Sequence, residues 1–117
     1  MEPNLGQVFG TGTSRLASGA TTTTTGLFIP DSALVTAGLS SPSTATAEGH
    51  LVALLLAAKT YLTQENFDAN TDQSLIVANG FSSFTTRGTN NDSYRQDQLT
   101  VSISRLDTGS TINPSDY

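Results

Sequence analysis

The sequence predicts a small single α+β domain, with one central helix on a mostly antiparallel sheet of roughly 3–5 strands. Three observations carry this. Apolar residues recur at helical spacing from Leu51 to Leu62. Leu99, Val101 and Ile103 alternate with Thr100, Ser102 and Ser104, the period of a strand with one buried face. Ahead of both lies a stretch too polar and too rich in Gly and Pro to form a core, which reads as an extended N-terminal arm. The expected organisation is an arm over residues 1–26, a body over 27–107 and a polar tail over 108–117.

The arm is defined by what it lacks. Residues 1–47 hold only three charged groups, Glu2, Arg15 and Asp31, against six Gly and three Pro. The run Thr21 to Thr25 disfavours a helix, because five adjacent β-branched side chains restrict χ1 and suit an extended chain. It reads as an edge strand, as polar low complexity, or as an arm that adds to a neighbour's sheet. After Gly26, Leu27-Phe28-Ile29 reads as a short apolar strand, stopped by Pro30.

The central helix has two candidate starts. Ser41 before Pro42 fits an N-cap followed by the first helical position. A start near Thr46 fits equally, because Gly49 weakens the first turns. Leu51, Leu54, Leu55, Ala58, Tyr61 and Leu62 then follow the i, i+3, i+4, i+7 rule, and Val52 and Leu56 add a second apolar face. A helix apolar over so much of its circumference needs cover on two sides. Its end is expected between Thr63 and Asn66.

Strands follow. Leu75 to Ala78 and Phe81 to Phe84 flank Asn79-Gly80, which reads either as a hairpin turn or as a bulge in one longer strand. Gly88 to Asp92 reads as a second turn, and Leu99 to Ile103 as the last strand. The predicted core is Leu51, Leu54, Leu55, Ile76, Val77, Val101 and Ile103.

Composition narrows the function. There is no Cys, so disulfides, thiolate metal sites and a cysteine nucleophile are excluded. Net charge is −5, and Arg15, Lys59, Arg87, Arg95 and Arg105 are scattered along the chain, so no nucleic-acid partner is expected. The longest apolar run, Leu51 to Ala58, falls well short of the about 20 residues a membrane span needs. The start has neither a basic region nor an apolar run, so no signal peptide is expected and localisation stays open.

No catalytic template matches, and no catalytic or cofactor-binding residue is assigned. Gly10 to Arg15 lacks the Gly-Lys-Ser/Thr ending of a phosphate loop and the third glycine of a dinucleotide fingerprint. His50, the single histidine, lies at the start of the helix and reads as a packed or solvent-side helical residue. Asn91-Asp92-Ser93 matches the glycosylation sequon by chance spacing. Phe81 and Phe84 read as core residues.

The best metal candidate is Asp68, Asn70 and Asp72, whose alternating oxygen ligands match the opening of a calcium loop. Gln73 then stands where the loop needs Gly, and Asn79 where it needs a closing Glu. Calcium is thus the one cofactor considered, against a plain loop capped by Asp and Asn side chains.

Ser and Thr supply 33 of 117 residues, and charged residues only 13%. With the long uncharged arm and the over-apolar helix, this favours a structural assembly subunit, a homo-oligomer or a chain docked on a lattice of other structural proteins. Small phage virion proteins, such as capsid decoration and tail components, share this composition by analogy. The alternatives are a small module binding a glycan or protein loop with calcium at Asp68 to Asp72, and a small acidic enzyme built on His50.

Overall fold

The computed structural model describes residues 2–107 and 109–117. Met1 and Thr108, the first residues of the expected arm and tail, lie outside the described residues. The fold is α+β, and all its strand pairing is antiparallel. The chain divides into two compact units, Met1–Ala57 and Ala58–Tyr117.

The first unit opens with helix α1, Leu5–Phe9. Asn4 caps it: its side chain accepts from the Gln7 N–H while the Gln7 side chain accepts from the Asn4 N–H, two otherwise orphaned donors satisfied together. Gly10, at φ +114°, ends it. Helix α2, Asp31–Thr36, starts directly after Pro30 with Asp31 in its first turn, where a negative charge is favourable. It closes with paired bonds from Leu39 N–H to the Leu34 carbonyl and from Gly38 N–H to the Val35 carbonyl, both 3.0 Å. That closure needs a left-handed residue, and Gly38 supplies it at φ +111°.

Two strand readings, one in the arm and one at the start of the body, change here. Thr21 to Thr25 and Leu27 to Ile29 are not strands. Extended backbone is only half of a strand, since the ladder also needs a partner for its N–H and C=O groups. Thr24 N–H instead takes the Thr22 hydroxyl, a local bond that competes with a ladder. Leu27 to Ile29 lie exposed.

Pro42–Thr44 form a separate 3-10 turn, which ends as Ala45 turns extended. Helix α3, Ala47–Tyr61, therefore takes the later of the two predicted starts. Thr46 caps it, its hydroxyl accepting from the Gly49 N–H at 3.0 Å. A Cβ on Gly49 would stand 3.2 Å from that hydroxyl, so the residue that weakens the first turn also leaves room for the cap.

The buried face of α3 is Ala47, His50 and Ala53, not the leucine stripe. Leu51 is exposed, Leu54 and Leu55 are half-buried, and Tyr61 is open to solvent. The stripe rule locates apolar faces but does not say which the chain covers. Here the leucines spread over a broad arc, and the adjoining sector of Ala47, His50 and Ala53 packs closest.

In the second unit a short helix α4, Gln64–Ala69, follows within three residues of α3. Thr63 caps it, accepting from the Asn66 N–H at 3.1 Å. The expected single helix to residues 63–66 is thus two helices, because a hydroxyl cap at Thr63 starts a new one. Strand β1, Leu75–Asn79, pairs with β4, Leu99–Ile103. Strand β2, Ser83–Arg87, pairs with β3, Asp92–Gln96, across the turn predicted at Gly88 to Asp92. Gly88 and Asn91 take the left-handed backbone this turn requires.

The four strands form two 2-stranded ladders rather than one larger sheet. Within this unit the helix against β1 is α4, where the sequence reading placed the central helix. Gly80 N–H donates to the Gln98 carbonyl at 2.8 Å, carrying the β1–β4 ladder one step further. The next pair is Ser83 opposite Gln96, so Phe81 and Ser82 together face Asp97 alone. Asn79-Gly80 is therefore no hairpin turn. It leads into a bulge, the rival of the two readings, within one long ribbon.

Burial is thin. In the second unit Val77 is the one buried residue among those described, Ile76 is half-buried, and Val101 and Ile103 of the predicted core are exposed. A two-stranded ribbon has two faces and little within its own unit to cover them.

Candidate functional site

One group of linked polar side chains lies in the first unit. Arg15 donates through one nitrogen to Nε2 of His50 and through another to a carboxylate oxygen of Asp31. A guanidinium has no acceptor, so Nε2 must accept. The ring proton therefore sits on Nδ1, which donates to the Thr46 carbonyl at 2.7 Å. His50 is buried, held from both ring nitrogens, and Asp31 stands at the start of α2. One residue of the N-terminal segment thus ties α2 to α3.

This clasp has a topological consequence. Arg15 and Asp31 are the two ends of the segment 16–30, and their ion pair closes that segment into a loop. Every residue of 16–30 is exposed. The loop contains no charged residue and carries Leu27, Phe28 and Ile29 beside its neck, with Leu27 89% and Phe28 67% exposed. The expected arm is therefore anchored in its own chain at Arg15, and beyond that point it is a closed projection.

A second feature of the same unit is an apolar groove of about 310 Å³, lined by the Ala37-Gly38-Leu39 turn after α2 and by Gly49, Val52, Ala53 and Leu56 of α3. None of these residues carries a charge. The turn closing α2 and the small residues on α3 are what make the groove.

The calcium-type residues sit as follows. Asp68 is in the last turn of α4 and accepts from the Gln64 side chain at 2.8 Å. Asn70 follows that helix, and its side-chain oxygen accepts from the Asp72 N–H at 3.1 Å, closing a local turn. Gln73 donates from Nε2 to the carbonyls of Thr63 and Leu75, joining the start of α4 to the start of β1. Its Oε1 is the one buried side-chain oxygen or nitrogen without a partner among the described residues. No group of three or more His, Asp or Glu side chains among the described residues is placed to hold a metal ion.

At the bulge, Arg95 and Ser82 both donate to a carboxylate oxygen of Asp97, at 2.8 and 2.9 Å. The Arg95 bond first, and the Ser82 bond second, hold the Asp97 carboxyl below its ordinary value. Nearer the tip, the Arg87 guanidinium lies 5.3 Å from the centre of the Tyr94 ring, on the face those residues share. Arg105 donates to the carbonyls of Gly109 and Thr111 and so fastens the C-terminal segment to the end of β4.

The clasp and the groove were missed from sequence. Arg15 is the one cation in the first 58 residues, but nothing in the spacing of residues 15, 31 and 50 joins it to Asp31 and His50. No helix among the described residues is long and apolar enough to cross a membrane. Comparison with known proteins gives no match to a family model, to a curated protein or to a solved structure.

Proposed function

We propose that this chain is a structural assembly subunit, a small virion component of the capsid-decoration or tail-associated kind, which holds to neighbouring subunits through its N-terminal segment and apolar surfaces. The observation that carries the reading is the mismatch between apolar side chains and burial. Leu27, Phe28, Phe81, Phe84, Leu106 and Ile112 are all largely exposed, and no side chain among the described residues is completely buried. Each large apolar side chain that is covered contributes roughly 1.5–3 kcal/mol. A chain that leaves this many uncovered gains more from association than from its own core, and apolar area of this kind marks interaction surfaces. The virion assignment rests on composition: hydroxyl-rich, free of Cys and low in charge.

Light scattering across a concentration series tests it. A defined oligomer, or growth into larger particles with concentration, is expected. A monomer at every concentration rejects self-assembly. A calcium-dependent change in stability in that monomer, lost in Asp72→Asn, replaces the reading with the calcium-assisted binding module.

A further inference from the structure

We propose that the clasp around His50 is a pH switch on the loop 16–30, closed while the imidazole is neutral and opened when the ring takes a proton. Nε2 has one lone pair in the ring plane, and that pair accepts from the Arg15 guanidinium. Nδ1 already carries the ring proton and donates it to the Thr46 carbonyl. A second proton can go only to Nε2. There it takes the place of the Arg15 bond and turns an acceptor into a cation facing a cation. Clasp and imidazolium therefore exclude each other, and the open form binds one proton more than the closed form. By linkage, falling pH favours the open form.

The charges around His50 decide which side chain moves. From the N-terminal segment the ring faces Arg15, and Asp31 of α2 reaches it only through that guanidinium. On α3 itself Glu48 is exposed and two positions away, on another face. Glu2, the remaining acidic residue of the unit, is exposed. Among the described residues no carboxylate bonds the ring, so none is in place to neutralise an imidazolium. The bond from Nδ1 to the Thr46 carbonyl survives protonation, so the buried ring stays where it is. Arg15 lies on a stretch without helix or strand, and its side chain is 27% exposed. Its remaining bond, to an Asp31 side chain 56% exposed, is a surface ion pair, which contributes little. Arg15 is thus the group that withdraws.

Without that contact the neck of 16–30 loses its hold on α3, and the closed projection becomes an open arm. The switch needs no second copy of the chain. His50 is the single histidine, and imidazole is the side chain that ordinarily changes charge between about pH 5 and pH 8, so one group sets the response.

NMR on the whole chain over that range tests it. The His50 ring resonances follow protonation, and heteronuclear NOEs of Leu16 and Ala17 follow the order of the neck. In the parent the NOEs are expected to fall toward free-chain values as pH drops, with the same midpoint as the ring. The amides of β1 to β4 should not change with them. His50→Gln keeps a neutral acceptor and donor, and its neck NOEs are expected to stay high at every pH. A parent whose ring titrates while the neck NOEs hold, or two midpoints that differ, overturns the switch. So does a fall that His50→Gln retains, or one shared by the ribbon amides, which is global acid unfolding. If His50→Gln does not fold, the comparison of the two midpoints in the parent decides.

Discussion

Arg15 does more than its position suggests. A single guanidinium in a hydroxyl-rich stretch would ordinarily be a solvated surface charge, and an isolated ion pair there would contribute little. Here the second bond goes to a buried imidazole whose other nitrogen is already fixed on the Thr46 carbonyl, so the side chain has one geometry to adopt. The expected effect of Arg15→Gln is local. Limited proteolysis should cut within 16–30 faster than in the parent, while the helical signal in circular dichroism is unchanged. Equal cutting rates would show that the neck is held by something else. Asp97 gives a second test at this scale. Its carboxyl is held below its ordinary value, so the ionised form favours the folded bulge. That contribution is present above the unfolded value and is lost as pH falls through the lower folded one. A carboxyl titration followed by NMR should place Asp97 below the ordinary aspartate range, and Arg95→Gln should move it upward. A titration in the ordinary range in the parent contradicts the contact.

At the scale of elements, the ribbon shows what local patterns can and cannot encode. The turn at Gly88 to Asp92 was legible because left-handed backbone has a sequence signature, and the alternation in Leu99 to Ile103 was legible because a strand has period two. The partner of each strand was not. Asn79-Gly80 has hairpin chemistry, yet pairing is decided by which ladder the longer chain can complete, and Gly80 extends the ladder instead of reversing it. Gly80 is needed there for space: a Cβ would sit 2.9 Å from the Gln98 Cβ and 3.3 Å from the Thr100 hydroxyl. Gly80→Ala should therefore cost about 1–3 kcal/mol, the range for forcing an extra carbon into a filled site. Urea unfolding checks this, and a loss below about 0.5 kcal/mol would mean the ribbon opens at the bulge without cost. The helices follow the same division. Caps at Thr46 and Thr63 are local and readable, and the burial of Ala47, His50 and Ala53 ahead of the leucines is a tertiary choice. The candidate site was less legible than the fold, since a clasp built from residues 15, 31 and 50 has no spacing to recognise.

At the scale of the whole chain, the controlling fact is how little is buried in either unit. Leu34, Pro42, Ala47, Ala53 and Val77 are the buried apolar residues among those described, and all but Val77 are in the first unit. Net stabilities are small differences between large terms, and a chain of this length with so small a core sits at the low end. If apolar surface such as Leu27 and Phe28 is covered by neighbours, association stabilises the folded state by mass action, and the midpoint of thermal unfolding rises with protein concentration. The expected result is a rising Tm over a wide dilution series, with Phe28→Ser flattening the dependence and leaving the dilute-limit Tm near that of the parent. The sign matters. Losing an apolar side chain from a core lowers Tm at every concentration, whereas losing one from a contact between copies lowers it only where copies meet. A parent Tm that does not move with concentration would mean the second unit and the first are each stable as they stand, and the exposed apolar residues would then need an explanation other than self-association.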